Sequence, residues 1–424
     1  MRIAGVFITI GATVVLAAPP ATAAPASTAR EVAASATKPG VAYSGVAYGS
    51  QVNLLNGTVT SGATAKSWVG CTREGGLQDE QSVAGISIPV VGKTGAVTTL
   101  ARTTATSTYK RTNTQSQVGK VNLLGGRITA DAIKTNSSAY AKSGGTRSGV
   151  NTMTFTNLKI GGRSISANVA KNSKITIAGI ADVTVNQQSR STSSTGAYTA
   201  RTTGLVIRVL PGNTLGLAAG STIQIASTTA TVQDLPENQI YTGTGFSTRV
   251  RALSGAVTSS PTAYIGVPCA GGVAKNDVAG VNVPLLISSG TTTTTARGVS
   301  ESARIYSKVT NTTASPRILG GLITADAIKA ETTTSRSKAT GKYYRSNTST
   351  FAGLKIAGKS VASADLEANS VVEIPGVATV TVNRQVIGAQ TINVTMLRVE
   401  LLKGVAGLPT GSVIEVGYSG TGLK

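Results

Sequence analysis

The sequence predicts an all-β protein: two tandem, duplicated domains, each a β-sandwich or a small barrel, behind a cleaved signal peptide. Three features support this fold class. A long segment occurs twice, apolar residues alternate with polar ones, and the N-terminus has the composition of an export signal. Charged residues make up only 13% of the chain. Ser, Thr, Gly and Asn, which suit strands and turns better than helices, are abundant.

The N-terminal segment predicts export. A basic start precedes an apolar run over residues 3–18, and residues 19–23 combine two prolines with the small sequence Ala-Thr-Ala. This order is typical of a secretory signal peptide, residues 1–23, and the run is short for a membrane anchor. Residues 24–40, rich in Ala, Pro, Ser and Thr, are predicted to be a flexible leader. No later apolar run reaches membrane-spanning length and no covalent anchor is visible, so we expect a secreted protein, extracellular or associated with the cell surface.

An internal duplication defines the domains. The segment LGGRITADAIK at residues 124–134 recurs as LGGLITADAIK at residues 319–329, with ten of eleven positions identical. Other matches, such as Cys71 with Cys269, keep the same order at nearly the same spacing. A period this long indicates tandem domains rather than a solenoid of short repeats. We therefore predict repeat 1 over residues 41–230, a polar, proline-containing linker over residues 231–238 and repeat 2 over residues 239–424.

Within each repeat the apolar residues follow a strand period. Ile175 and Ile177 alternate with polar neighbours, which places them on one face of a strand. In repeat 2 the alternation over residues 392–396 changes phase over residues 397–401, which predicts a β-bulge. The threonine-rich residues 291–295 are predicted to lie on an exposed strand face, with disorder as the alternative.

The absence of histidine from the sequence excludes Ser-His-Asp and Cys-His catalytic arrangements and every histidine-ligated metal site. No clustered Asp/Asn loop suggests calcium. We therefore expect no metal, no cofactor and no catalytic residue.

The two cysteines, Cys71 and Cys269, occupy equivalent positions, one in each repeat. A disulfide between them is chemically permitted in an exported protein, but it requires their Cα atoms to lie within about 7 Å. Two buried thiols are the favoured alternative, because tandem domains seldom bring equivalent points together.

Two further matched features favour structural roles. Asp131 and Asp326 are the matched acidic residues. One carboxylate in each repeat does not supply the pair that a glycosidase needs, so each is predicted to accept backbone hydrogen bonds at a turn or strand end. The paired glycines at residues 125–126 and 320–321 are followed by no P-loop lysine spacing, so a tight turn is predicted there rather than a phosphate cradle.

The net charge of +22, from 39 basic and 17 acidic residues, favours anionic partners. Export argues against nucleic acid and for an anionic cell-wall polymer. The ligand-binding prediction is a basic set retained in both repeats, with a solvated strand face as the alternative. Its members are Lys134, Lys159 and Arg163 in repeat 1 and Lys329, Lys355 and Lys359 in repeat 2.

At these motifs the chain resembles the choice-of-anchor P family of exported actinobacterial proteins. The resemblance rests on the LGGxITADAIK segment, the single cysteine in each repeat, the Phe-x-x-Leu-Lys-Ile-x-Gly pattern and the late Gly-Leu-x-x-Gly-Ser. It covers both repeats and implies surface or secreted proteins whose C-terminal anchors vary. This chain ends without a recognisable anchor, which favours free secretion. The family has no established activity, so no residue role is carried over.

The sequence is compatible with three functions. The leading one is a non-enzymatic extracellular or surface protein, structural or adhesive, in which two linked modules gain avidity on a repetitive polymer. The alternative is a binding module for an anionic cell-envelope polymer or a carbohydrate, although aromatic residues that could stack on sugars are only 4% of the chain. A hydrolase that relies on carboxylates is the least favoured.

Overall fold

A computed structural model describes residues 40–424 apart from short gaps. The gaps are residues 54–59, 62, 89–90, 144, 195, 218, 236–238, 252–260, 284, 363–366 and 406–407. The predicted signal peptide and all but the last residue of the predicted leader lie outside the described residues.

Repeat 1 consists of antiparallel strands. They are β1 (Val41–Asn53), β2 (Thr60–Ser61), β3 (Ser67–Thr72), β4 (Gln78–Val83), β5 (Ile86–Ile88), β6 (Gly92–Thr94), β7 (Val97–Ala105), β8 (Tyr109–Leu123), β9 (Ile128–Lys142), β10 (Arg147–Thr156), β11 (Lys159–Ile160), β12 (Arg163–Ser164), β13 (Ser173–Ile177), β14 (Ala181–Thr192), β15 (Tyr198–Val209) and β16 (Thr222–Asp234).

Repeat 2 follows the same plan and includes a 3₁₀ turn at Leu319–Gly321. Its strands are β17 (Tyr241–Arg251), β18 (Ile265–Gly266), β19 (Gly272–Val278), β20 (Val281–Val283), β21 (Ile287–Ser289), β22 (Thr292–Ser300), β23 (Arg304–Ala314), β24 (Arg317–Ile318), β25 (Ile323–Thr324), β26 (Ala327–Ser337), β27 (Tyr343–Asn347), β28 (Thr350–Ala352), β29 (Lys355–Ile356), β30 (Lys359–Ser360), β31 (Ser370–Ile374), β32 (Ala378–Ile387), β33 (Thr391–Leu401) and β34 (Val413–Leu423).

Each repeat is built from packed antiparallel sheets. In repeat 1 the closing sheet has the order β13-β14-β15-β16-β1-β2, with β3 also on β1, so the first and last long strands are neighbours. The second sheet is centred on β7, β8 and β9, with β4 and β10 flanking them. Repeat 2 repeats the closing order as β31-β32-β33-β34-β17-β18. No sheet closes on itself in the described part of the chain, so the all-β prediction is confirmed in its sandwich form.

Pro316 divides the second sheet of repeat 2 into two. Repeat 1 has Val121 at the equivalent place, where it pairs with Ala130 inside the long ladder of β8 and β9. Proline has no N–H to donate to such a ladder. Pro316 therefore only accepts a hydrogen bond, from the N–H of Ala325 at 3.1 Å, and the long strand ends at Ala314.

The largest apolar cluster of each repeat lies between its sheets. In repeat 1, Val118 and Ile133 of the second sheet pack against Val183, Leu205 and Ile223 of the closing sheet. An equivalent cluster in repeat 2 contains Ile328, Val380 and Leu397. The alternation predicted around Ile175 and Ile177 is present: β13 pairs with β14 and buries Ile177.

A layer of buried hydroxyl groups adjoins this core in each repeat, and in repeat 1 a smaller apolar cluster lies beyond the layer. Ser137 Oγ lies 2.9 Å from Thr228 Oγ1, and Ser419 Oγ lies 2.7 Å from Thr332 Oγ1, in both cases across the two sheets. The prediction for residues 291–295 was wrong for half of the strand, because Thr292 and Thr294 are fully buried. A buried hydroxyl is tolerated when it finds a hydrogen-bond partner, and Thr294 Oγ1 accepts one from Asn311 at 2.8 Å.

The phase change predicted as a bulge has a different cause. The ladder pairs Val382 with Leu397 and Arg384 with Thr395, so no residue is inserted. Between those pairs, Asn383 adopts φ 51°, a left-handed conformation that asparagine tolerates better than most residues. Asn186 has φ 56° at the equivalent point of repeat 1. The sheet bends at these positions without losing register.

The two cysteines form a disulfide, with their Cα atoms 5.6 Å apart. The favoured alternative of two buried thiols was therefore wrong. The reason is the way in which the repeats pack. Lys66 lies over the ring of Tyr264, its equivalent 198 residues later, and the equivalent pair Ala42 and Ile240 share one apolar cluster with the disulfide.

Equivalent positions meet in this way when two units are related by an approximate two-fold axis. We infer such an axis beside the disulfide. Strand β16 continues to Asp234, so residues 231–234 of the predicted linker belong to a strand. Residues 236–238 lie outside the described residues.

Candidate functional site

The predicted basic set is not gathered into one patch. Lys159 pairs with Ser164, whereas Ile160 pairs with Arg163 across the same short hairpin. Residues directly opposite each other share a face and consecutive residues alternate, so Lys159 and Arg163 point to opposite faces. Repeat 2 has the same arrangement for Lys355 and Lys359.

Lys134 and Lys329 differ in their surroundings although they match in sequence. The Nζ atom of Lys329 lies 3.1 Å from Glu331 Oε2. Repeat 1 has Asn136 in place of that glutamate, and its side-chain carbonyl accepts a hydrogen bond from Asn113 at 2.6 Å. Lys134 is exposed and has no ion-pair partner among the described residues. It lies five residues along β9 from Thr129, the partner of Lys159, or about 16 Å away.

Asp131 and Asp326 each approach a turn residue, and the partner of Asp131 is a side chain rather than the predicted backbone group. The Oδ2 atom of Asp131 accepts a hydrogen bond from Asn157 Nδ2 at 2.5 Å. In repeat 2 the equivalent of Asn157 is Gly353, with φ 60°, and the carboxylate of Asp326 occupies the space that a Cβ atom would fill. The paired glycines also form turns, with φ 66° at both Gly125 and Gly320.

A cluster that the sequence did not reveal lies on the outer face of the second sheet of repeat 1. Arg111 pairs with Tyr140 across β8 and β9. Its guanidinium carbon lies 5.9 Å from the centroid of each of two rings, Tyr109 and Tyr140. The rings meet edge to face at 6.1 Å. The alternate residue Thr112 points inwards and donates to Thr231 O, which places Tyr109 and Arg111 on the outer face.

Repeat 2 carries the same residue types at the same two strand positions in reverse order. Arg304 occupies the place of Tyr109, Tyr306 that of Arg111, and the guanidinium carbon lies 5.0 Å from the tyrosine ring. Beside them, Tyr344 is 58% exposed and lines an open groove of about 510 Å³. The groove is otherwise lined by Arg304, Arg345 and the hydroxyl side chains of Thr333, Ser335, Ser337 and Ser346.

The two outer faces differ in charge. On the outer face of repeat 2, four cations of the described residues have a carboxylate partner. They are Lys329 and Lys308 with Glu331, at 3.1 and 3.0 Å, Arg304 with Glu301 at 2.9 Å and Lys275 with Asp277 at 2.8 Å. In repeat 1, Arg102 and Arg111 on adjacent strands have no ion pair within the described part of the chain. The outer face of repeat 1 is therefore the less neutralised of the two.

These clusters can hold a flat ring and an anionic group together. A tyrosine ring offers an apolar face on which a sugar can stack, and an arginine fork binds a carboxylate or phosphate with two parallel hydrogen bonds. The available signal in the sequence was a Tyr and an Arg two residues apart on one strand in both repeats. Because the order of the two residues is reversed between the repeats, an alignment of identical residues does not pair them.

No protein-family model matches the chain, and no curated protein matches it. The resemblance to the choice-of-anchor P family therefore stays a prediction. Among the described residues, no helix combines the length and the apolar character needed to cross a bilayer.

Proposed function

We propose that this is a non-enzymatic extracellular protein, secreted or held at the cell surface, that adheres to an anionic polymer of the cell envelope. The observation that carries the proposal is the cluster of Arg111 between the rings of Tyr109 and Tyr140, with a counterpart at the same strand positions of repeat 2. The net charge of +22 would draw such a polymer to the protein.

The combination of rings and guanidinium groups favours an acidic polysaccharide over a polymer without sugar rings. Rings alone would suit a neutral sugar, and cations alone would suit any polyanion. Two outer faces on one chain can bind two segments of the same polymer, which raises the apparent affinity above that of either face. The outer face of repeat 1, which has fewer ion pairs, would contribute the larger part of the binding free energy.

Titration of the protein with polygalacturonate over a salt series tests this proposal. We expect affinity to fall steeply with salt, because the contact is largely ionic. Arg111→Gln should weaken binding by roughly tenfold, in the range of a charge-assisted hydrogen bond.

Arg208→Gln is the matched control. Arg208 is exposed on β15, so its loss changes the net charge equally without touching the cluster. Equal losses in the two variants would mean that binding follows net charge alone. No binding of wild-type protein at low salt would contradict the proposal.

A further inference from the structure

The junction between the repeats contains a second basic and aromatic cluster. Lys66, from the segment before β3 of repeat 1, places its Nζ atom 5.8 Å from the ring centroid of Tyr264 in repeat 2. Tyr264 is 41% exposed, so the contact opens to solvent. The contact joins a residue of repeat 1 to a residue of repeat 2.

Repeat 2 supplies two more cations. Arg249 lies 2.5 Å from Glu415 through Nη2, and Arg251 lies 3.5 Å from the same carboxylate through Nε. The guanidinium carbon of Arg249 is 4.5 Å from the ring of Phe246, which in turn stacks on Tyr418 at 4.6 Å. These rings fix the guanidinium group in place.

The charges at this junction are unbalanced. Partial desolvation lowers the pKa of the Lys66 ammonium, and the like charge of Arg249 lowers it further. Burial likewise lowers the pKa of Arg249, against the opposing effect of Glu415. Within the described residues, Arg249 and Arg251 share one carboxylate, and Lys66 adds a further positive charge close enough to be affected by Arg249. An added anion would relieve this repulsion.

We infer that the junction is a binding site for a single oxyanion group, a carboxylate or a phosphate. Lys66 supplies positive charge from repeat 1. Arg251 and the guanidinium N–H groups of Arg249 that do not contact Glu415 supply it from repeat 2. The ring of Tyr264 forms the apolar wall of the site. This site is separate from the outer-face clusters and does not depend on them.

Within the part of the chain that the structure describes, this set of charges occurs once, even though the two-fold arrangement would allow two. The equivalents of Arg249, Arg251 and Glu415 in repeat 1 are Gln51, Asn53 and Gln224, which are uncharged. The equivalent of Lys66 is Tyr264 itself. The expected stoichiometry is therefore one anion per chain.

Calorimetric titration of the full chain tests this site with tripolyphosphate as the phosphate probe and trigalacturonate as the carboxylate probe. We expect one site per chain and a roughly tenfold loss of affinity in Lys66→Met, which keeps the apolar stem of the side chain. Lys174→Met removes the same charge from the exposed strand β13 and should leave the affinity unchanged. The probe that binds more tightly identifies the source of the anion.

A second variant shows whether the loss of affinity in Lys66→Met reflects a folding defect. Arg251, whose side chain is 53% exposed, can be changed to Gln with little effect on packing and should also weaken binding. Trp68, the only tryptophan of the chain, lies two residues from Lys66 and reports the site by fluorescence. Equal affinities in Lys66→Met and Lys174→Met, or no binding by either probe, would overturn the inference.

The outer-face variant separates this inference from the proposed function. Arg111→Gln should leave tripolyphosphate binding unchanged while it weakens polygalacturonate binding. Loss of tripolyphosphate binding in Arg111→Gln together with normal binding in Lys66→Met would contradict the junction site and leave the outer faces as the anion site.

Discussion

Glu331 shows how a single difference between the repeats changes the charge of a surface. It replaces Asn136 of repeat 1 and brings its carboxylate within 3.0 Å of Lys308 and 3.1 Å of Lys329. Burial alone would raise the pKa of Glu331. Hydrogen bonds from Thr348, Lys308, Lys329 and Thr310 outweigh that effect and lower the pKa to about 2.

A lowered pKa makes the stability of repeat 2 depend on pH in a definite direction. The carboxylate binds protons less readily in the folded protein than in the unfolded chain, whose ordinary value is 4.5. Its contribution is therefore complete above that pH and is lost as pH falls towards 2. We expect Glu331→Gln to lower the urea midpoint at pH 7 and to reduce the difference between the midpoints at pH 7 and pH 3.

Glu373→Gln is the control for this comparison. Glu373 is exposed on β31 and makes no ion pair with another described residue. A pH dependence that is unchanged in Glu331→Gln would show that this carboxylate does not contribute to acid sensitivity.

At the scale of the strand, buried hydroxyl groups join the sheets of each repeat. The Oγ atom of Ser419 on β34 lies 2.8 Å from the carbonyl oxygen of Val309 on β23, to which it donates. It also contacts the N–H and the hydroxyl of Thr332 on β26. One hydroxyl thus links three strands in two sheets.

We expect Ser419→Ala to lower the free energy of unfolding of repeat 2 by about 1–3 kcal/mol, because buried donors and acceptors lose their partner. Urea denaturation followed by circular dichroism measures this change. Ser346→Ala, at an exposed position of β27, should have little effect. Equal stability of Ser419→Ala and wild type would show that the hydroxyl layer contributes no net free energy.

The sequence predicted the strands and the duplication, but it predicted the buried faces only where these faces are apolar. Ile175 and Ile177 identify their strand because alternating apolar residues have one buried face. Thr292 and Thr294 carry no such signal, since threonine serves equally on exposed faces and in the hydroxyl layer. The Arg111 cluster was missed for a related reason: its rings belong to different strands, and only the β8–β9 register brings Tyr140 beside Arg111.

At the scale of the whole molecule, the two repeats are held by the disulfide and the apolar cluster around it. The equivalence of Cys71 and Cys269 was visible in the sequence. Their contact was not, because a repeat period gives no information on the axis that relates two domains. The lengths of β1 and β17 are likewise set by pairing with the last strand of each repeat, a contact far away in sequence.

We expect the double variant Cys71→Ser with Cys269→Ser to unfold more easily than the oxidised protein by about 2–4 kcal/mol, the usual contribution of a disulfide. Thermal unfolding by calorimetry measures it, with wild-type protein under reducing conditions as the second comparison. The variant should also lose affinity for tripolyphosphate, since Lys66 and Arg251 belong to different repeats. Unchanged melting in both comparisons would mean that the apolar cluster alone holds the repeats together.

The closing pattern of each sandwich has a mechanical consequence. Gly40 and Lys424 both lie at the junction: the N–H of Leu235 donates to Gly40 O at 2.8 Å, and Ile240 exchanges two hydrogen bonds of 3.0 Å with Lys424. A pulling force applied between these two residues would therefore act across a short span that the disulfide reinforces. The long sheets and their outer faces lie outside this line of force. They would remain folded under load until the junction itself unfolds.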